Sequence, residues 1–383
     1  MCDILKHTTM KTGDKTMKKI HRTLSLFTVA AMCAALLCSC GAVSDSSQTD
    51  SSSKADTTTT ADTTADTTTA GEASSTASAT SAPDSSVSDS SSAVTDDTKT
   101  NGITPAMWKV TSPEGNTMVM LGSFHALKDE CYPLPEAVTN AYNNADILAV
   151  ECDITSTSED GEYMKNLMKQ MLYNDNTKLS QHISEEAYSA LQTYLGYWGM
   201  DISALEVYRP WAISSTLDTL LIQDADFDSE KGLDNYLLTT AHADGKEIYE
   251  VESVDFQMNL LINFSDDIYD LMFRSYEGET KESQKQALED LYTAWKSGDI
   301  ETFLEEDNEE ELAGYTEEDK KIAEDYNNQM LYDRNKNMAK AAEDLMSQGK
   351  NVFYVVGAAH YAGEGGIIDL LEKDGYTAER VQY

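Results

Sequence analysis

The chain has 383 residues, with 67 acidic side chains against 28 basic ones and a formal net charge of −39. Such an acidic excess leaves no basic footprint able to release counterions from phosphates, which excludes nucleic acid as a partner. An anionic membrane surface repels the same charge, so attachment there needs a covalent or inserted anchor.

The N-terminus carries the pattern of such an anchor. Lys18, Lys19, His21 and Arg22 form a positive patch, and Leu24 to Leu37 follows as an apolar stretch too short to span a bilayer comfortably. The natural start of this leader is Met17, because Met17-Lys18-Lys19 opens the positive region. The stretch ends in Leu37-Cys38-Ser39-Cys40-Gly41, which resembles the bacterial lipobox, where the Cys three residues after Leu receives lipid. The expectation is a leader over 1–40, lipidation of Cys40, and attachment to the extracytoplasmic face of the cell membrane. An uncleaved anchor and an ordinary cleaved signal are the alternatives.

From Gly41 to Thr100 there is no aromatic residue, no Leu, Ile or Met, and only Val43, Val87 and Val94 offer branched apolar surface. Burial cannot offset the entropy of ordering such a chain, so 41–103 is expected to be a disordered tether. A coil of about 60 residues has a root-mean-square reach of roughly 40 to 45 Å, enough to lift a domain off the membrane. The remainder, 104–383, is roughly 280 residues and is expected to form one domain around one core.

Within that domain, Trp108 to Thr111 and Thr117 to Leu121 predict a hairpin across Pro113-Glu114-Gly115-Asn116. Helical spacing over Leu134 to Ala145 precedes a strand at Ile147 to Cys152. Helices are expected from there to Ala243, with Tyr188, Leu191, Tyr194 and Leu195 on one face of one of them. A strand at Glu247 to Val251 comes next, and the longest helix runs from Glu317 to Gln348 without Gly or Pro. Asn351 to Val356 is a buried strand, Gly366 to Lys373 a short helix, and Thr377 to Gln382 a final strand. The fold class is therefore α/β, a central mixed sheet with surrounding helices.

Two passages share one plan: an apolar strand, Gly-x-x-His, a helix and another strand. They are Gly122-Ser123-Phe124-His125 and Gly357-Ala358-Ala359-His360. Such a repeat points to an internal duplication whose two histidines occupy equivalent strand ends, where α/β sheets place ligands. Glu151 follows four apolar residues at the end of another strand, with Asp153 as its substitute. Two imidazoles and a carboxylate form a common ligand set for a catalytic divalent ion. Satisfied structural histidines and a solvent-facing acid are the bland alternative.

Ile322, Tyr326, Met330, Arg334 and Met338 are spaced by four, which puts a guanidinium in an apolar stripe. Its partner is Glu151, Glu252, or a bound carboxylate or oxyanion. Arg334 is expected to be catalytic with Glu151, stabilising a tetrahedral oxyanion, a structural ion pair being the alternative. Beside it Asn335 is placed to orient a ligand. Of the six cysteines, Cys131 and Cys152 remain in the domain. They are expected to be two buried thiols, and a disulfide between them, permitted outside the cytoplasm, is the alternative. The G-x-S-x-G, H-E-x-x-H, Walker A and G-x-G-x-x-G patterns are missing, so serine hydrolase, zincin and nucleotide-binding chemistry have no local support.

Taken in order, these residues resemble the TraB/GumN family, which includes the animal Tiki proteins. The resemblance rests on the two Gly-x-x-His passages, Tyr132-Pro133-Leu134-Pro135, Ala145-Asp146-Ile147 leading to Glu151, and Arg209-Pro210-Trp211. It continues through Gly232-Leu233-Asp234, Gly245-Lys246, Val251-Glu252 with Gln257, Trp295-Lys296-Ser297-Gly298-Asp299, and Arg334-Asn335. Ser-Phe stands inside the first Gly-x-x-His where the family often has Thr-Ile.

The resemblance implies a fold akin to ChaN-like haem-uptake and erythromycin-esterase-like proteins. It also implies a manganese- or cobalt-type ion, with zinc as a further candidate, held by His125, His360 and Glu151. The function it implies is a cell-envelope metal-dependent peptidase acting on peptides or protein N-terminal segments, in which Gly122, Gly357, Asn335 and Glu252 support the site. Other members are peptide-pheromone inhibitors, so a non-catalytic peptide-binding lipoprotein and a metal-dependent esterase are the alternatives.

Overall fold

The computed structural model describes residues 102–155, 161–304 and 315–383. Cys40, the leader and the tether up to Asn101 lie outside the described residues. Six strands form one mixed sheet: β1 (Met107–Thr111), β2 (Thr117–Ser123), β3 (Ile147–Val150), β4 (Glu247–Glu250), β5 (Val352–Gly357) and β6 (Thr377–Arg380), in the order β4-β3-β5-β2-β1-β6. The expected hairpin is present, with Trp108 opposite Met120 and Thr111 opposite Thr117. β4, β3, β5 and β2 run parallel, and β1 is antiparallel to both β2 and β6.

Every residue of β3 and of β5 is buried, as expected for parallel strands covered on both faces. Each fully buried Val, Leu, Ile or Phe on them contributes on the order of 1.5–3 kcal/mol, so these strands anchor the core. The edge strands β4 and β6 are largely exposed and carry Glu247, Glu250, Glu379 and Arg380, charges that discourage further pairing.

The helices are α1 (Glu136–Asn144), α2 (Gly161–Gln170), α3 (Glu185–Tyr197), α4 (Pro210–Asp224), α5 (Leu233–Asp244), α6 (Val254–Ile262), α7 (Asp266–Arg274), α8 (Lys281–Ser297), α9 (Glu317–Asn327), α10 (Asp333–Ser347) and α11 (Ile367–Lys373). On α3, Leu191, Tyr194 and Leu195 are buried, while Tyr188 lies half-buried and donates to Glu206. α8 begins with the Thr280 side chain accepting from the Ser283 N–H, and its Trp295 indole donates to the Gly122 carbonyl at 2.9 Å. That bond ties the helix to the end of β2.

The expected long helix is present from Glu317 to Ser347, with one shift of hydrogen-bond register inside it. Between α9 and α10, Asn328–Tyr332 forms one π turn. A stripe spaced by four advances past a 3.6-residue turn, and the wider i→i+5 turn takes up that drift. It keeps Tyr326, Met330, Arg334 and Met338 all buried. Of the two readings for the cysteines, the buried thiols are the one found. Cys131 and Cys152 are free and buried; Cys131 Sγ meets the Tyr292 hydroxyl at 2.9 Å, and Cys152 Sγ meets Gln257 Oε1 at 3.4 Å.

Candidate active site at the strand ends

Because β2, β3, β5 and β4 run parallel, their C-terminal ends share one edge of the sheet, and the segments leaving them carry His125, Glu151, His360 and Glu252. β2 lies beside β5 with Ser123 opposite Gly357, so the two Gly-x-x-His turns emerge side by side. Gly122 sits at the root of the first turn, where its N–H donates to the Ala106 carbonyl.

The three expected ligands meet around Gly357. A Cβ there would lie 3.1 Å from Glu151 Oε1, 3.4 Å from His125 Nε2 and 3.6 Å from His360 Cδ2. Glycine leaves this space open, and its N–H donates to Glu151 Oε1 at 2.7 Å. His360 Nε2 faces the same oxygen at 3.7 Å, too far for a hydrogen bond.

Each imidazole is oriented from behind. His360 Nδ1 donates to Asn335 Oδ1 at 2.6 Å, while the Asn335 amide donates to the Gly365 carbonyl at 3.0 Å. His125 Nδ1 meets Asp234 Oδ2 at 2.7 Å. Asp234 reaches that position through a close backbone approach: the Leu233 N–H donates to the Phe124 carbonyl, and a Cβ on Gly232 would lie only 2.1 Å from the His125 carbonyl oxygen. Both Nε2 atoms are thereby turned toward Glu151, as in carboxylate- and carbonyl-backed metal ligands.

Arg334 is buried and takes two of its expected partners at once. Nε and Nη2 form a fork on Glu252 at 2.9 and 2.8 Å, Nη2 also donates to Glu151 Oε2 at 2.8 Å, and Nη1 donates to the Met330 carbonyl at 3.1 Å. Gln257 Nε2 bridges Glu151 Oε2 and Glu252 Oε2 at 2.9 and 2.7 Å. Glu151 therefore has one oxygen saturated by Arg334 and Gln257, and one turned to the imidazoles. Asp153, the substitute for Glu151, points elsewhere and meets His242 Nε2 at 2.7 Å.

The electrostatics follow from these partners. Burial alone would raise the Glu151 carboxyl, but Arg334, both imidazoles and the Gly357 N–H hold it well below the usual carboxylate range. Burial, reinforced by Arg334, pushes His360 down to about 3, so it is neutral with a bare Nε2. Burial also opposes charge on His125, yet Asp234 outweighs it and raises the imidazole to about 9.

This donor chemistry fits a divalent ion, with one proton on His125 to displace. Among the described residues, no three His, Cys, Asp or Glu side chains stand as a ready-made metal cage. The residues that sequence reasoning left without a role here are Asp234 and Gln257. Their signals were present: a Gly-x-Asp opening a helix, and a Gln five residues after Glu252.

The chain is similar to three proteins of known name. It is 26% identical over 157 residues to the uncharacterized protein YbaP of Escherichia coli, covering 41% of this chain and 56% of that protein. It is 24% identical over 293 residues to a metalloprotease TIKI homolog of Nematostella vectensis, covering 65% of this chain and 61% of that protein. It is 26% identical over 161 residues to metalloprotease TIKI1 of Xenopus tropicalis, covering 38% of this chain and 32% of that protein. The chain thus spans less than two thirds of the length of these relatives. No solved structure matches it, so the likeness to ChaN-like and erythromycin-esterase-like folds rests on sequence resemblance. Residues 106–380 match the model of the TraB/PrgY/gumN family, and the chain belongs to that family.

Proposed function

We propose that the domain is a metal-dependent hydrolase that cleaves peptides or the N-terminal segments of proteins. The observation that carries this is the convergence of His125, His360 and Glu151 on Gly357, each backed by its own partner, at the mouth of an otherwise apolar pocket. The named TIKI metalloproteases among its relatives support the same chemistry.

His125 Nε2, His360 Nε2 and Glu151 Oε1 are the atoms that would hold a manganese-, cobalt- or zinc-type ion. When bound, the ion supplies Lewis acidity toward a carbonyl and lowers the pKa of an attacking water. Asp234 holds the His125 ring in place and stabilises its charge whenever Nε2 carries a proton. Asn335 fixes His360 with Nε2 bare. Arg334 and Gln257 fix the plane of the Glu151 carboxylate, so they act through Glu151 as positioning residues.

The test is cleavage of a peptide library by the full chain, with and without chelator. Cleavage that stops with chelator and returns with manganese or cobalt is expected. Binding without cleavage in either condition would mean a peptide-sequestering protein. Hydrolysis of esters with no peptide cleaved would mean an esterase.

We further propose that the protein acts at the cell envelope, held by lipid on Cys40. What supports this reading is the positive patch, the apolar stretch and the Leu37-Cys38-Ser39-Cys40 ending of the leader. Among the described residues no helix is long and apolar enough to cross a membrane. Changing Cys40→Ser is expected to move the protein from the membrane fraction to the soluble fraction or to leave uncleaved precursor. A C40S chain that still matures and partitions with lipid would assign the anchor elsewhere.

A further inference from the structure

The pocket that holds the polar cluster has a second wall that the proposed chemistry does not use. Ile222 on α4, Leu260 on α6, Leu288 and Leu291 on α8, Phe303, and Leu331 in the π turn line it. The ionisable side chains of the lining are His125, Glu151, Asp234, Arg334 and His360, the members of the polar cluster. The cavity measures about 120 Å³. That is close to the roughly 150 Å³ of a Leu-, Ile- and Phe-lined cavity that binds benzene, so it has room for one ring or one branched side chain.

The same lining includes Ser123, the last residue of β2, which is 2% exposed. Its buried hydroxyl has no hydrogen-bond partner among the described residues. A buried hydroxyl without a partner costs free energy that packing alone does not return. Rotation about the Ser123 Cα–Cβ bond turns the hydroxyl into the pocket, where the amide N–H of a bound molecule, next to its apolar group, would supply the missing bond.

We infer that the site selects its substrate by one large apolar side chain, branched aliphatic or aromatic. That side chain sits against Leu288, Leu291 and Phe303, while the Ser123 hydroxyl takes a hydrogen bond from the adjoining peptide backbone. This inference rests on the peptide-hydrolase proposal for the same site and names the class of residue beside the bond to be cut. A leucine or phenylalanine gains by leaving water for that wall. A glycine gains nothing there, and an aspartate loses its hydration without a partner.

The test uses the full chain in chelator, so that binding is read apart from catalysis, and four fluorophore-labelled hexapeptides identical but for one central residue, Leu, Phe, Gly or Asp. The Leu and Phe peptides are expected to bind roughly ten- to a hundredfold tighter than the Gly peptide, with Asp weaker still. Equal affinities, or no binding of any of the four, would overturn the inference. Ser123→Ala is expected to weaken the Leu and Phe peptides by a similar factor, about three- to tenfold, and to raise the melting temperature of the free protein, since it removes an unpaired buried hydroxyl. Unchanged affinity in S123A would remove Ser123 from the assignment. The same peptides offered to the metal-loaded chain separate the two claims. Cleavage without preference would overturn the selection and keep the hydrolase, whereas selective binding without cleavage would do the reverse.

Discussion

Arg334→Ala is expected to destabilise the folded domain by about 3–5 kcal/mol at neutral pH, the cost of removing one partner from a buried ion pair. The guanidinium is the cation that both Glu151 and Glu252 face, and its loss leaves two buried carboxylates close together with only Gln257 between them. The loss is pH-dependent, and its sign follows from Glu151. In the native protein that carboxyl is held below its ordinary value of 4.5, so its contribution is fully present above 4.5 and disappears as pH falls toward the folded value. The gap between native and variant proteins therefore narrows in acid. Denaturant unfolding of both at pH 7 and at roughly pH 3, inside that window, reads this directly, and a gap that is small at pH 7 or widens in acid contradicts it. Arg334→Lys retains charge but loses the fork, so it should fall between the two.

His125→Ala and His360→Ala are each expected to abolish metal-dependent cleavage, while changes behind them cost less. Asp234→Asn and Asn335→Ala leave both ligand nitrogens in place and change the group behind the ring, and such changes typically cost about 10- to 100-fold. Direct loss of either imidazole removes a ligand atom and should exceed that range. Steady-state cleavage by the four variants orders them. An H125A or H360A chain as active as D234N would take that histidine out of the ligand set.

Much of the site could be read from the sequence because its chemistry sits at strand ends. Apolar runs ending in Gly-x-x-His or in Glu fix both the strand and the residue that leaves it, so His125, Glu151 and His360 could be placed together before any coordinates. Arg334 was legible for another reason: a cation in an apolar stripe must have a partner, and both proposed carboxylates are its partners. What periodicity could not supply is contact between distant segments. Gly232 delivering Asp234 to His125 depends on a backbone approach across the fold, and the choice of Glu151 over Asp153 depends on where β3 stops. The π turn escaped because apolar spacing of four is compatible with an α-helical register until the burial of Tyr326, Met330, Arg334 and Met338 together is imposed. The shared plan of the two Gly-x-x-His passages puts both on one edge whether or not one was copied from the other.

The central claim is that His125, His360 and Glu151 hold one divalent ion, and equilibrium dialysis of the full chain against manganese, cobalt and zinc over pH 6 to 10 tests it most directly. Because Asp234 raises His125 to about 9, a proton competes for Nε2 below that pH, whereas His360, pushed down to about 3, is bare throughout. One ion per chain is predicted, with affinity rising about tenfold per pH unit up to about 9 and levelling above it, and with no such ion in His360→Ala. A native chain that binds none of the three metals, or an H360A chain that binds them equally well, would contradict the account.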